Sequence, residues 1–285
     1  MNLRTKQASR TQLQRAQRLH RREQRSRHGQ TLVEGPQAVR ELLARSPGLA
    51  RDLYITEEAI ERHGDIAELA ASAGVWVHVL SSDDMRDLSS DGQGIVAVTS
   101  TPVQPDLDVL LSRASLIVAT LDIADPGNLG TIIRTADAAG ADAVLIGRAS
   151  AELYSPKVIR SAAGSHFHLP CVAGVEVADI AAQAKKAGLQ VLTAEGAGEW
   201  ELPVLLEQAA EAKILGTSPS GPDLTKRTLW LVGNEARGFA EYDVDVDARV
   251  SIPLYGKAES LNVSTALAVC AYASAMARAT QEDGK

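Results

Sequence analysis

The sequence predicts an α/β protein: an open parallel sheet wrapped by helices, preceded by a smaller α/β unit. Three observations predict it. Strand-like apolar runs alternate with helix-like stretches, the pattern of βα units. Runs such as "ASLIVATLDI" (114–123) are continuously apolar, as a strand buried on both faces requires. The segment "TPVQPDLD" (101–108), with two prolines, separates two such series.

The elements follow in order. "RTQLQRAQRLHRREQRSRHG" (10–29) has helix formers, few apolar residues and a terminal Gly29, so it is expected to be a frayed helix that orders on a partner. In the small unit, "EGPQAVRELLARS" is a helix with Pro36 in its first turn, and "LARDLYIT" a strand. "DIAELAASAG" is a helix ending at Gly74 and "VWVHVL" a strand; "SSDDMRDLSS" is a helix with a Ser or Asp cap and "GIVAVTS" a strand. In the second unit, "ASLIVATLDI", "ADAVLIG", "HFHLPCV", "LQVLTAEG", "TLWLVGNE" and "ARVSIPL" are strands. Helices are expected at "NLGTIIRTADAAG", "SPKVIRSAAG", "EVADIAAQAKKAG", the insertion "ELPVLLEQAAEAK" and the C-terminal stretch. The expected domains are a basic arm (1–28), a small domain (29–100), a linker (101–112) and the second domain (113–285).

Composition narrows the class. Apolar residues are 45% of the chain and aromatics 4%, so the core is mostly Ala, Val, Leu and Ile. Cys171 and Cys270 lie in apolar runs without metal or disulfide spacing, as in a reducing compartment. The first 28 residues are polar and basic, unlike a signal peptide. The longest apolar run, residues 263–277, is shorter than the roughly 18–20 residues that span a bilayer, so a cytoplasmic protein without a membrane partner is expected. Residues 1–28 carry nine Lys/Arg against one Glu, whereas the remainder carries 20 against 35 acidic side chains. A cationic arm on an acidic body suits a polyanionic partner.

Four stretches are candidates for chemistry. In "DPGNLGTIIRTADAAGADAVLI" (125–146), Ile132, Ile133, Ala136, Ala139 and Gly140 form an apolar stripe, and Arg134 points away from it. Asn128 sits near the N-cap, where its side chain satisfies a free N–H or reaches a neighbour. In "LWLVGNEARGFAE" (229–241) a strand runs into Gly233-Asn234-Glu235, where ligands of open α/β sheets bind. In "IPLYGKAESLNVSTALAVCAYASA" (252–275), Ser260 and Asn262 lie where an all-round apolar helix begins, a helix that should be buried on every side. In "LYSPKVIRSAAGSHFHLP", Lys157 and Arg160 share a short helix. Each pattern also fits an ordinary cap, turn or solvated face. His166 and His168 alternate in a strand with no carboxylate or Cys at metal spacing, so no metal site is expected. No G-x-G-x-x-G, Walker A or G-x-S-x-G motif occurs.

Taken together, these stretches resemble the SpoU (TrmH-type) RNA 2′-O-ribose methyltransferases of the SPOUT superfamily. "NLGTIIRTADAAGADAVLI", "LVGNEARGF" and "IPLYGKAESLNVSTALAV" look like that family's three motifs, in order and spacing. The segment with "LVEGPQAVRELL" is similar to the family's L30e-like substrate-binding domain. The resemblance implies a C-terminal deep trefoil knot that holds S-adenosylmethionine near Leu231, Val232, Gly233, Ile252, Leu254 and Leu261. It implies a homodimer, with the site completed across the interface. It places Arg134 beside the target ribose, either accepting its proton or steadying the developing alkoxide, with Asn128, Glu235, Ser260 and Asn262 completing the constellation. Arg21, Arg22, Arg25, Lys157 and Arg160 become candidate RNA contacts. Ribosomal (23S) RNA is the expected substrate. The alternatives are transfer RNA, or a non-catalytic RNA-binding protein on the same scaffold.

Overall fold

The computed structural model describes residues 7–233 and 244–282. The chain forms two compact units, one of Met1–Val103 with Glu152–His168, the other of Gln104–Ala151 with Leu169–Lys285.

The first unit holds a four-stranded sheet. Its strands are β1 (Gln30–Glu34), β2 (Ala50–Thr56), β3 (Trp76–Leu80) and β4 (Ile95–Ser100), in the order β1-β4-β2-β3. β4 runs antiparallel to both neighbours, and β2 and β3 are parallel. The two faces of the strands are buried separately, as their alternation dictates. Leu53, Ile55 and Val77 pack beneath Val39 and Leu42 of α3 (Pro36–Arg45), Ala59 of α4 (Glu57–Arg62), and Ile66 and Ala70 of α5 (Gly64–Ser72). Tyr54, Leu80, Val96 and Val98 face Met85 and Leu88 of α6 (Ser82–Leu88) and, unexpectedly, Ala16 and Leu19 of the arm.

The arm is therefore not a frayed tail. It folds as α1 (Arg10–Arg18) and α2 (Arg22–His28). Ser9 and Gln12 form a reciprocal capping box, with bonds of 3.2 and 3.0 Å, that satisfies free donors at the start of α1. Gln17 Nε2 donates to the Asp87 carbonyl at 3.0 Å, and His20 Nε2 lies 2.8 Å from the Leu88 carbonyl. Leu13, Ala16 and Leu19 recur every three residues and supply the apolar face. This spacing outweighs the arm's polar composition.

Residues 152–168 carry α9 (Pro156–Ser161), whose Ile159 joins the core under α3 together with Phe167. Gly164, at φ +92°, lets this segment approach α3: a Cβ there would sit 2.7 Å from the Cβ of Glu41. The expected strand "HFHLPCV" is corrected. Ser165–Phe167 is a 3-10 turn with His166 buried, and the strand, β7 (Cys171–Val175), begins only after Pro170.

The second unit holds a parallel sheet. Besides β7, its strands are β5 (Leu116–Thr120), β6 (Ala143–Gly147), β8 (Gln190–Ala194), β9 (Trp200–Glu201), β10 (Thr228–Val232) and β11 (Ala248–Ser251). Their order is β7-β6-β5-β10-β8-β11-β9. Leu229 and Leu231 of β10 face α7 (Leu107–Arg113) and α10 (Val177–Lys186). Trp230 faces the opposite way, and its Nε1 donates to Ser274 Oγ of α12 (Val263–Glu282) at 2.9 Å. Both faces are covered, which explains why these strands read as continuous apolar runs. α8 (Pro126–Ala138) and α11 (Leu202–Leu215) pack with α12.

Candidate functional site

The carboxyl ends of three strands converge on one cavity. β8 delivers Ala194, Glu195, Gly196 and Ala197; β10 delivers Gly233; β11 delivers Ser251, Ile252, Pro253 and Leu254. The approach to α12 closes it with Glu259, Ser260, Leu261 and Ala266. The cavity volume is about 550 Å³. Such a cleft outside the carboxyl ends of parallel strands is where open α/β sheets bind ligands.

Of the expected cofactor residues, Gly233, Ile252, Leu254 and Leu261 line this cavity, and Ser260 joins them. Leu231 and Val232 do not. Both are buried in β10, Leu231 in the core beneath α7 and α10, and the Val232 carbonyl accepts from Leu121 N at 2.8 Å within the sheet. Their side chains supply the rigid strand that carries Gly233 to the rim. Glu235 lies outside the described residues.

Composition-based reading missed the acidic wall made by Glu195, Glu201 and Glu259. Glu195 is the most constrained of them. Its N–H donates to the Val250 carbonyl at 2.9 Å, Thr193 Oγ1 donates to its Oε1 at 2.9 Å, and Arg249 Nε lies 3.7 Å away. "LTAEG" at the end of β8 carries the signal that would have found it: a strand ending on a carboxylate and a glycine.

The α8 motif sits beside the start of α12. Asp125, not Asn128, is the cap: its Oδ1 accepts from Asn128 N at 2.8 Å. Asn128 reaches a neighbour instead. Asn262 Nδ2 donates to Asn128 Oδ1 at 3.1 Å, while Asn262 Oδ1 accepts from Ser264 N at 2.9 Å and from its hydroxyl at 2.5 Å. One carboxamide thus ends the cavity loop, caps α12 and holds α8. The stripe of α8 is buried at Ile132, Ile133, Ala136 and Ala139; Gly140 is exposed. Arg134 is exposed and makes no hydrogen bond or ion pair among the described residues. Asn128 is bonded to Asn262 and not to Arg134.

α12 is not buried on every side. Val269, Tyr272 and Met276 are 41%, 44% and 61% exposed, at spacings that put them on one face. Tyr272 Oη donates to the Ala138 carbonyl at 3.4 Å, which sets that face beside α8.

The candidate RNA contacts divide. Arg21, Arg22 and Lys157 are exposed. Arg25 is 6% exposed: Nη1 donates to the Leu19 and His20 carbonyls at 2.7 and 2.8 Å, and the guanidinium pairs with Glu152. It is a strut, with no free face for a phosphate. Arg160 pairs with buried Glu34 and with Asp91 at 2.8 Å, and Ser89 Oγ also donates to Glu34 at 2.6 Å. Arg160 therefore ties α9 to the small sheet, and its charge is already matched.

Thiol chemistry is disfavoured. Burial pushes both Cys171, with help from nearby Asp137, and Cys270 up to about 12, so neither is a thiolate at neutral pH. Among the described residues there is no metal-binding cluster of His, Cys, Asp or Glu, and no helix long and apolar enough to cross a membrane.

Comparison with known proteins matches two families to the chain. The SpoU rRNA Methylase family matches residues 115–272, and the RNA 2′-O ribose methyltransferase substrate binding family matches residues 32–105. A 23S rRNA (guanosine(2553)-2′-O)-methyltransferase of Bacillus subtilis is 33% identical over 261 residues, covering 89% of this chain and 92% of its own. A 23S rRNA (uridine(2479)-2′-O)-methyltransferase of Streptomyces viridochromogenes is 28% identical, covering 88% and 84%. The crystal structure of the SpoU methyltransferase AviRb from that organism, in complex with its cofactor AdoMet, superposes with a TM-score of 0.72 at 28% identity over 94% and 98% of the chains. With the motif-bearing strands, the cavity and these matches in agreement, the chain belongs to the SpoU rRNA methylase family of RNA ribose 2′-O-methyltransferases.

Proposed function

We propose that this protein methylates a ribose 2′-oxygen of 23S ribosomal RNA, using S-adenosylmethionine held in the cavity at the ends of β8, β10 and β11. The observation that carries the reading is the continuity from that cavity, through Ser260 and Leu261, to the Asn262–Asn128 bond and the α8 helix that bears Arg134. The lining fits the cofactor. Ile252, Leu254 and Leu261 offer apolar surface to a purine, Gly233 allows close backbone approach, and the acidic wall suits a ligand carrying a sulfonium and an ammonium. Bound there, S-adenosylmethionine supplies an electrophilic methyl carbon.

The chain's own residues align and activate the nucleophile. A ribose hydroxyl is a weak nucleophile, so its oxygen must be held in line and its developing charge compensated. Arg134 does this best as a permanent cation beside the alkoxide, because a guanidinium keeps its proton in proteins. Asn128, oriented by Asn262, positions the ribose, and Ser260 and Glu235 complete the set. Exposed Lys157, Arg21 and Arg22 serve RNA.

The chain is proposed to act as a homodimer with the apolar face of Val269, Tyr272 and Met276 at the interface, where Arg134 meets the partner's cavity. The fold is proposed to contain a trefoil knot. The insertion of β10 between β5 and β8, strands formed earlier in the chain, supports that threading. A cytoplasmic location is proposed, in keeping with its bacterial 23S rRNA relatives. Both relatives cited act on 23S rRNA, which favours this substrate over transfer RNA.

The test is transfer of labelled methyl to total RNA from a strain deleted for the gene, fractionated by size. Label on ribose in the 23S fraction is expected. Label confined to transfer RNA, or none despite bound cofactor, contradicts the proposal.

A further inference from the structure

We infer that the outer face of α1 and α2 is a preformed cationic clamp for the phosphate backbone of double-helical RNA, added to the family's own substrate-binding domain. The inference rests on the reading of this protein as an RNA enzyme. Residues 7–29 precede both matched regions, which begin at 32 and 115. They are nonetheless part of the first unit's core. On α1 at 100° per residue, buried Ala16 lies opposite an arc of about 140° that holds Arg10, Gln14, Arg18, Thr11 and Arg15. All five are exposed. Arg21, Arg22 and Arg27 continue the exposed series, and Glu23 is the lone carboxylate of the described arm.

The corner between the helices is fixed by Arg25. Its bonds to the Leu19 and His20 carbonyls and its pairing with Glu152 hold the turn on which Arg21 and Arg22 stand. Arg22 Nε lies 3.9 Å from the same carboxylate yet its side chain is 79% exposed, so it remains available. The cationic face thus needs no folding on contact and avoids the ordering cost of a disordered tail.

The chemistry selects the partner. The arm has no Phe, Tyr or Trp, so it offers no platform for stacking unpaired bases. In A-form RNA the deep, narrow major groove is closed to side-chain readout, leaving phosphates and the 2′-hydroxyl edge. A row of guanidiniums on a rigid helix suits phosphates, independently of sequence. Because the rest of the chain is acidic, a polyanion is steered to this face.

The experiment uses the full chain and a 20-base-pair RNA duplex unrelated to ribosomal RNA, with binding followed by anisotropy from 50 to 200 mM KCl. Replacing Arg15, Arg18, Arg21 and Arg22 together by Gln is expected to weaken binding at least about tenfold and to lower the slope of log K against log salt by about 3.6, about 0.9 per lost phosphate contact. Replacement of the same four by Lys is expected to keep the slope, since point charge suffices for phosphate. Helix content by circular dichroism is expected to stay unchanged on adding duplex. An unchanged slope in the Gln variant overturns the inference, as does helix content that rises with duplex. Tighter binding of a single strand of equal length, or the same arginine dependence on phosphatidylserine vesicles with none on duplex, also overturns it. Failure of the wild-type protein to bind S-adenosylmethionine in calorimetry would instead strike the methyltransferase reading and leave the salt slope untouched.

Discussion

Asn262 shows how much one side chain is asked to do here. Its Oδ1 caps α12 and its Nδ2 holds Asn128. Asn262→Ala therefore removes both, and the loss of the cap alone costs about 1 kcal/mol. In a chain this long that is a fall in Tm of roughly 2–4 °C. Asn128→Ala leaves the cap and should keep the wild-type Tm, yet it should slow methyl transfer as Asn262→Ala does. Thermal unfolding beside initial rates checks the pair, and full activity in Asn128→Ala would remove this residue from the site.

His166 tests the core of the first unit. Burial pushes its pKa down to about 4, against a partial opposing effect of the Leu153 carbonyl 3.0 Å from Nε2. The folded ring stays neutral while the unfolded one gains a proton below about 6.5, so acid favours unfolding. Stability should fall by about 3 kcal/mol between pH 6.5 and 4 from this group alone. Urea unfolding at pH 7 and pH 4 should show that loss shrinking in His166→Gln; an identical loss in the variant would mean the ring is not the source.

At the scale of elements, α12 carries a further expectation. Its face of Val269, Tyr272 and Met276 is apolar and exposed. Met276→Glu should convert a dimer to monomers in sedimentation and abolish transfer while leaving Trp230 and Ser274, on the opposite face, undisturbed. A variant that stays dimeric would place the interface elsewhere. The element pattern also explains what the sequence disclosed. β5, β6, β8 and β10 were legible because a strand buried on both faces is apolar throughout. The order of β10 between β5 and β8 was not, since no local property of "TLWLV" records its neighbours. The docking of α1 was hidden by composition, although Leu13, Ala16 and Leu19 spell it at a spacing of three. Arg25 and Arg160 looked like phosphate ligands because their acidic partners, Glu152, Glu34 and Asp91, are distant in sequence or drawn from other elements. Gly233, Ile252, Leu254, Ser260 and Leu261 were legible through the resemblance to the family's second and third motifs. Glu195 was missed although "LTAEG" sets a carboxylate and a glycine at a strand end, because that short pattern fits an ordinary turn equally well.

At the scale of the whole molecule, the architecture separates three tasks. The carboxyl ends of β8, β10 and β11 form a cofactor-sized cavity, α8 presents an arginine with no partner among the described residues, and the arm adds positive charge to an otherwise acidic chain. The separation leaves the role of Arg134 open to one decisive comparison. Arg134 leaves the buried stripe of α8, so Arg134→Ala should fold with the wild-type Tm and bind S-adenosylmethionine with unchanged affinity in calorimetry. Methyl transfer to 23S ribosomal RNA, measured under single-turnover conditions, should then fall by about 10²-fold or more, as expected when a donor to a developing oxyanion is lost. Transfer at the wild-type rate by a variant with normal cofactor affinity would contradict the assignment of Arg134 to the reacting ribose.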